Sequence, residues 1–300
     1  MQIVAPRTME KRDKNRHPMK TIANKIYEGL ASTYTVGEIK ALTRIIATEL
    51  LGISQTAFYL TDEIKLDAEQ THLLTNAIER LAKHEPIQYI LGYSDFCGLR
   101  FSVTPAVLIP RPETSELVEL IAVESPTAKN ILDIGTGSGC IAVSLASKLP
   151  TAQVTAWDIS PQAIAIAQKN SIANNCKVLF EERDILTYEP QYREKYDIIV
   201  SNPPYIKEVE KRTMEDNVLL WEPHLALFVP DNVPLLFYRA IAEKALLMLS
   251  PGGKLFFEIN REHGAETVAM LETMGYKNVT LRKDIAGNDR MICANLPVQQ

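Results

Sequence analysis

Between residues 131 and 295 short apolar runs alternate with stretches of helical periodicity, and this alternation restricts the fold more than any other feature. The runs at 131–134, 154–158, 178–180, 198–200 and 254–259 have the length and β-branched content of buried strands. Helical patterns fall between and after them, at 141–148, 161–174, 238–249 and 265–274, and two closing strands are expected at 278–283 and 290–295. Parallel strands need a crossover, usually a helix, so the pattern predicts an α/β fold: a doubly wound, mostly parallel sheet with helices on both faces.

Sheets of this kind bind ligands beyond the carboxyl ends of their strands, and the residues expected there are unusual. Asp133-Ile134-Gly135-Thr136-Gly137-Ser138-Gly139 lies where a strand passes into a helix. Glycine at such a turn lets the backbone approach a ligand that a Cβ would exclude. Asp158 ends the next strand, about 20 residues on, where a carboxylate can accept from both hydroxyls of a ribose. A dinucleotide fingerprint would need glycine at position 140, but the residue there is Cys140, and no Gly-Lys-Ser/Thr follows to make a phosphate loop. An NAD oxidoreductase is therefore disfavoured, and a nucleoside without a pyrophosphate fits better. Asp184 and Ile185, after the third strand, suit an adenine: a carboxylate to accept from its amino group and an apolar wall beside the ring.

The fourth strand end carries Ser201-Asn202-Pro203-Pro204-Tyr205. Neither proline has an N–H for the ladder, so the sheet stops there. Asn202 offers a side-chain carbonyl and Pro203 a peptide carbonyl; Pro204 stiffens the turn and Tyr205 offers a flat face. Two acceptors beside a flat platform fit a planar group carrying an NH2. Taken alone the segment also reads as an ordinary turn, because Asn-Pro commonly opens one. With Asp158, Asp184 and the glycine loop at successive strand ends, the site reading prevails.

The rest of the chain frames this region. Residues 1–18 are polar and basic without the apolar core of a secretory signal, and read as a disordered leader, with Met19 an alternative start. From about 21 to 83 the periodicity is helical. Ile22, Ile26 and Leu30 form one stripe, Thr35 to Glu38 a capping box, Ile39, Leu42, Ile46 and Leu50 a second stripe stopped by Gly52, and Leu73 to Leu81 a third. A small helical bundle is expected, either padding or a grip for a macromolecular partner. Pro86 breaks the pattern, and strands at 89–93 and 100–103 are expected to form a hairpin about Cys97-Gly98. Pro110 and Pro112 hold Arg111 extended, as a surface charge or a carboxylate clamp, and a helix starts at Glu113. The expected divisions are 1–18, 19–85, 86–112 and 113–298.

Composition excludes several classes. No apolar run approaches the roughly 20 residues of a membrane span. The net charge of -5 argues against a large nucleic-acid surface. The four cysteines and five histidines are dispersed, which fits a reducing cytoplasm and predicts neither a disulfide framework nor a metal site.

With these residues in view, the chain resembles the class I S-adenosylmethionine-dependent methyltransferases, and more narrowly the peptide-chain-release-factor glutamine N5-methyltransferases of the HemK type. The resemblance extends over nearly all of the chain from Met19. It is carried by residues 86–92, by 108–114 with their Ile-Pro-Arg-Pro core, by 133–139, Asp158 and 201–205, by Glu222-Pro223, and by Gly287-Asn288-Asp289-Arg290. Asn-Pro-Pro-Tyr is shared with amino-methylating DNA enzymes; the Ile-Pro-Arg-Pro segment and the helical N-terminal region point to the release-factor branch. Ser138 and Ile185 occupy variable positions.

The resemblance implies a seven-stranded sheet with its last strand antiparallel, and an N-terminal helical domain that helps hold the release factor, joined by a β-hairpin linker. It implies S-adenosyl-L-methionine as cofactor, bound by Gly135, Thr136, Gly137, Ser138, Gly139, Asp158, Asp184, Ile185, Asn202 and Arg111, the last near the methionine carboxylate. The acceptor is the glutamine of the release factor's Gly-Gly-Gln loop, bound by Asn202, Pro203, Pro204 and Tyr205, with Asn202, Pro203 and Tyr205 serving the transfer. A cytoplasmic monomer of translation termination, without metal, nucleic-acid or membrane partners, is expected. Two other readings stand beside it: an amino-methyltransferase acting on adenine or cytosine in nucleic acid, and a catalytically silent cofactor-binding partner protein.

Overall fold

Apolar residues three or four apart dictate the elements of the first part of the chain. The computed structural model describes residues 18–60, 64–190 and 195–297, and divides the chain into two units, Met1–Leu91 and Gly92–Gln300. The expected leader, apart from its last residue, lies outside the described residues. In the first unit α1 (Pro18–Leu30) buries Ile22, Ile26 and Leu30. α2 (Val36–Ile45) starts at Thr35, whose hydroxyl accepts from the Glu38 N–H while the Glu38 carboxylate accepts from the Thr35 N–H. It continues as a π-helical turn, Ile46–Leu50, and the chain turns away at Gly52 with φ +67°. α3 (Gln55–Leu60), α4 (Ala68–Leu81) and α5 (Ile87–Leu91) complete the unit around Ile26, Leu30, Ile46, Leu74 and Leu81.

α5 replaces the first half of the strand expected at 89–93. His84, at φ +63°, ends the preceding helical stretch. Pro86 then opens a new turn rather than closing one: its carbonyl accepts from the N–H of Tyr89 and Ile90. A proline's fixed φ and missing N–H suit the first turn of a helix.

The second unit begins with the hairpin of β1 (Tyr93–Phe96) and β2 (Leu99–Ser102), turned at Cys97 and Gly98 with φ +49° and +75°. α6 (Pro112–Glu124) follows, then β3 (Asn130–Ile134), α7 (Cys140–Lys148), β4 (Gln153–Asp158), α8 (Pro161–Ala173), β5 (Val178–Glu182) and β6 (Tyr196–Ser201). An insertion carries β7 (Ile206–Lys207), α9 (Asp216–Leu219) and β8 (Phe228–Val229). The chain closes with α10 (Leu236–Met248), β9 (Leu249–Glu258), α11 (Gly264–Thr273), β10 (Lys277–Lys283) and β11 (Asp289–Asn295).

The main sheet has seven strands in the order β10-β11-β9-β6-β3-β4-β5; β11 runs antiparallel to both neighbours and the other pairings are parallel. This is the seven-stranded doubly wound sheet, last strand antiparallel, that the resemblance implied. Leu117, Ile121, Ile141 and Leu145 of α6 and α7 belong to one apolar cluster, and Tyr238, Ile241, Ala245 and Leu271 of α10 and α11 to another. Each fully buried aliphatic or aromatic side chain contributes about 1.5–3 kcal/mol. Strand order reverses at β3, with β4 and β5 on one side and β6 and β9 on the other, which opens a crevice at the carboxyl ends of β3 and β6.

Candidate active site

The turn leaving β3 needs glycine for two separate reasons. Gly135, Gly137 and Gly139 all take positive φ, at +75°, +55° and +81°. A Cβ added to Gly135 or Gly137 would meet nothing within 4 Å, so the backbone there is bare toward the crevice. At Gly139 a Cβ would stand 3.0 Å from the Cβ of Ala167, so this glycine lets α7 and α8 approach one another. Asn170, fully buried on α8, takes the Ser102 N–H at 2.7 Å and gives its Nδ2 to the carbonyls of Ser102 and Ser138 at 3.0 and 2.9 Å. One side chain thus fastens the hairpin to the glycine loop.

Carboxylates hold the loop's shape. The Gly137 N–H donates to Asp158 Oδ2 at 2.8 Å and the Ser160 N–H to Oδ1 at 2.9 Å. Burial raises the Asp158 carboxyl, and these N–H groups oppose the rise. Asp184 organises the turn after β5, taking the Leu186 N–H at 2.9 Å and the Thr187 hydroxyl at 3.2 Å. A carboxylate oxygen can accept more than one hydrogen bond, so both aspartates keep capacity for a ligand. Asp133 is fully buried; its Oδ2 accepts from the Thr136 hydroxyl at 2.6 Å, and its Oδ1 has no hydrogen bond among the described residues. Burial pushes this carboxyl up to about 7; the Thr136 hydroxyl and, at longer range, the Ala142 N–H oppose the rise, and Asp158 adds to it.

A cavity of about 420 Å³ gathers Gly135 to Ser138, Asp158, Asp184, Ile185, Asn202 and Arg111 on one wall system, together with Pro203 and Pro204. Gly139 is the expected cofactor residue that lies off it. Tyr205 lines a second cavity of about 330 Å³ with Met214 and Val218. The two cavities have Leu108, Arg111, Asn202 and Ala226 in common. Asn202 therefore borders both.

Arg111 is extended, at φ -93° and ψ 144°, as the following Pro112 favours. Its Nη2 lies 2.6 Å from Glu222 Oε1, and Glu222 Oε2 accepts the Ile109 N–H at 3.2 Å. Burial raises the Glu222 carboxyl while the Arg111 guanidinium pulls it down. Glu222 entered the sequence reading only as part of a matching segment, with no role of its own.

A buried polar cluster lies behind Asn202. The Thr114 hydroxyl donates to Glu258 Oε2 at 2.6 Å, the Asn202 Nδ2 lies 3.5 Å from Thr114 Oγ1, and the Tyr205 hydroxyl lies 3.5 Å from Glu258 Oε1. Asn260 donates to the Tyr205 carbonyl at 3.3 Å. Burial raises Glu258, with the Thr114 hydroxyl and the Arg290 guanidinium opposing it. Tyr205 is raised by burial and by the neighbouring Glu258. Sequence reasoning did not single out Glu258; its signal was a carboxylate closing an otherwise apolar strand, Leu255-Phe256-Phe257-Glu258. Among the described residues no cluster of His, Cys, Asp and Glu could hold a metal ion, and no helix is long and apolar enough to cross a membrane.

Two family models match the chain, the methyltransferase small domain over residues 113–221 and the PrmC N-terminal domain over residues 28–92. A release factor glutamine methyltransferase of Bacteroides thetaiotaomicron is 51% identical over 277 residues, covering 92% of this chain and 100% of that protein. Its counterpart in Flavobacterium psychrophilum is 48% identical over 282 residues, covering 92% and 99%. Among solved structures, the hMettl16 catalytic domain in complex with a MAT2A 3'UTR hairpin matches with a TM-score of 0.55 at 15% identity, covering 98% of this chain and 96% of that one, a likeness of fold.

Proposed function

The chain belongs to the release factor glutamine methyltransferases, and on that premise we propose that it transfers a methyl group from S-adenosylmethionine to the side-chain amide nitrogen of the glutamine in a release factor's Gly-Gly-Gln loop. The observation that carries this reading is the shared wall. Asn202 borders the larger cavity, with its glycine loop and two aspartates, and also the smaller one, with Tyr205. Transfer between two ligands requires that they meet at one point, and such positioning can supply about 7–11 kcal/mol at the extreme.

The larger cavity suits S-adenosylmethionine. The bare backbone of Gly135 and Gly137 leaves a cradle, and the loop from Gly135 to Ser138, with Gly139 behind it, would hold the ligand. Asp158 would accept from the ribose hydroxyls, and Asp184 from the adenine amino group with Ile185 against the ring. Arg111 would face the methionine carboxylate with the N–H groups that Glu222 leaves free. The group supplies an electrophilic methyl on a sulfonium.

The chain's own residues act on the acceptor. An amide nitrogen is a poor nucleophile because its lone pair is delocalised into the carbonyl. Asn202 Oδ1 and the Pro203 carbonyl accept its two N–H bonds, aim the nitrogen, and favour the positive charge that grows on it, an effect strongest where water is excluded. Pro204 stiffens the turn and the Tyr205 ring packs on the amide plane. The proton leaves after transfer, so no strong general base is assigned. The helical domain at 19–85 is assigned to gripping the release factor, the hairpin region at 86–112 to linking it, and 113–298 to the transfer, in a cytoplasmic monomer.

Mass analysis of the Gly-Gly-Gln peptide, from an unmodified release factor incubated with the protein and S-adenosylmethionine, tests the reading. One added methyl on that glutamine, formed far more slowly with Asn202→Ala while cofactor binding persists, is the expected result. Label in parallel DNA or RNA acceptors, with none on the peptide, would overturn it.

A further inference from the structure

The carboxamide of Asn202 has two ends of nearly equal size and opposite hydrogen-bonding sense, and the proposed transfer works with only one of them facing the acceptor. An amide NH2 needs the carbonyl end; the Nδ2 end would set N–H against N–H. Nothing in Asn-Pro-Pro-Tyr itself selects the end.

The sheet register supplies a selector. Ser201 pairs with Phe257 where β6 runs beside β9, so Asn202 and Glu258 leave neighbouring strands side by side. Thr114, on the first turn of α6, stands between them and is 2% exposed; Glu258 is 1% exposed. A hydroxyl has one proton to give, and Thr114 gives it to Glu258 Oε2 at 2.6 Å. An ionised Glu258 accepts and cannot donate, which fixes this direction; burial raises its carboxyl, and the Thr114 hydroxyl and the Arg290 guanidinium oppose the rise. Toward Asn202, Thr114 is left with lone pairs alone. The end of the carboxamide that can face it, at 3.5 Å, is Nδ2. The other Glu258 oxygen faces the Tyr205 hydroxyl, so the same carboxylate acts on both ends of the motif.

We propose that Glu258 and Thr114 are positioning residues that turn the Asn202 carbonyl oxygen toward the acceptor amide. Glu258 fixes the direction of the Thr114 proton, and Thr114 fixes the facing of Asn202. The inference rests on the methyl-transfer reading above.

Single-turnover transfer to an unmodified release factor, with both substrates saturating, is the experiment. Thr114→Val keeps the shape and removes the hydroxyl; it is expected to slow transfer about 10- to 100-fold, the scale of a small misplacement at a reacting centre, a loss that exceeds any change in the Kd for S-adenosylmethionine, whose cavity Thr114 also lines. Thr114→Ser, which restores a hydroxyl, is expected to recover most of the rate. Glu258→Gln, which gives Thr114 a competing donor, is expected to slow transfer as well. In an Asn202→Ala background, Thr114→Val should cause no further loss, because the group it orients is gone. Wild-type rates in Thr114→Val or Glu258→Gln would overturn the inference. So would a Thr114→Ser as slow as Thr114→Val, or an equal loss with and without Asn202, since each marks a merely structural role. A wild-type protein that leaves the glutamine unmethylated is a separate result: it removes the transfer reading and the inference with it.

Discussion

Glu222 and Arg111 lie 111 residues apart in sequence and meet at 2.6 Å, carboxylate to guanidinium, while the same carboxylate takes the Ile109 N–H. The Glu222 side chain is 1% exposed and that of Arg111 33%. One buried acid thus joins the Pro-flanked segment before α6 to the insertion between β6 and α10, and Arg111 and Pro223 from these two stretches line the larger cavity.

Glu222→Ala leaves the Ile109 N–H and the Arg111 guanidinium without this partner. Arg111 can turn to water, but the Ile109 N–H is buried, and an unsatisfied buried donor costs about 1–3 kcal/mol. A loss of that size in urea unfolding, with weaker S-adenosylmethionine binding, is expected. Glu222→Gln keeps an acceptor for Ile109 and should fall between the two. Equal unfolding midpoints for all three proteins would mean that the tie contributes nothing.

The glycines of the loop should separate by mechanism. Gly139→Ala meets a positive φ and the Ala167 Cβ at 3.0 Å together. Left-handed strain costs about 1–2 kcal/mol, and overpacking adds about 1–3 kcal/mol, so a large fall in Tm is expected. Gly137→Ala carries the strain alone, since its Cβ meets open space beside the cavity. It should lose less Tm than Gly139→Ala and most of its cofactor affinity. Thermal scans with and without S-adenosylmethionine distinguish the two.

Asp133 makes stability depend on pH. Its folded-state carboxyl is raised to about 7 by burial, against about 3.9 in an unfolded chain. The folded state therefore holds a proton that the unfolded state releases, and this contribution is present in full below about pH 4 and lost as pH rises to about 7. The groups acting on it are the Thr136 hydroxyl, the Ala142 N–H and the Asp158 carboxylate. Asp133→Asn has no proton to lose. Urea midpoints from pH 5 to 8 should show the wild type losing ground to this variant by a few kcal/mol, at about 1.4 kcal/mol for each pH unit over which only the folded state stays protonated. Parallel curves would show that the carboxyl titrates normally.

The sheet and the strand ends that line the larger cavity were legible because their signals are local. Period, glycine spacing and the stop at Pro203-Pro204 all act within a few residues, and they put the glycine loop, Asp158, Asp184 and Asn202 each at the carboxyl end of a strand. The helix at 87–91 was misread because a short apolar run fits either period. The insertion holding Met214 and Val218 left no periodic trace, since its strands span two residues each and its helix four. Thr114 meets Glu258 across 144 residues, and Glu222 meets Arg111 across 111. The first contact follows from β9 lying beside β6 and the second from the insertion after β6 folding back on the segment before α6, and no local pattern encodes either.

Two adjoining cavities predict that cofactor and acceptor binding can be damaged one at a time. Val218, half-buried on α9, lines the smaller cavity and not the larger. Leu186, 40% exposed after β5, lines the larger and not the smaller. Both stand at a surface where an indole can be accommodated without opening the core. Val218→Trp is expected to raise the KM for the release factor about tenfold or more, a loss of about 1.4 kcal/mol, with the Kd for S-adenosylmethionine unchanged. Leu186→Trp should do the reverse. Calorimetric titration of the cofactor, beside steady-state methylation at varied release factor, measures both quantities. If Val218→Trp weakens the cofactor as much as the acceptor, the two cavities form one site, and Asn202 does not stand at a boundary between two ligands.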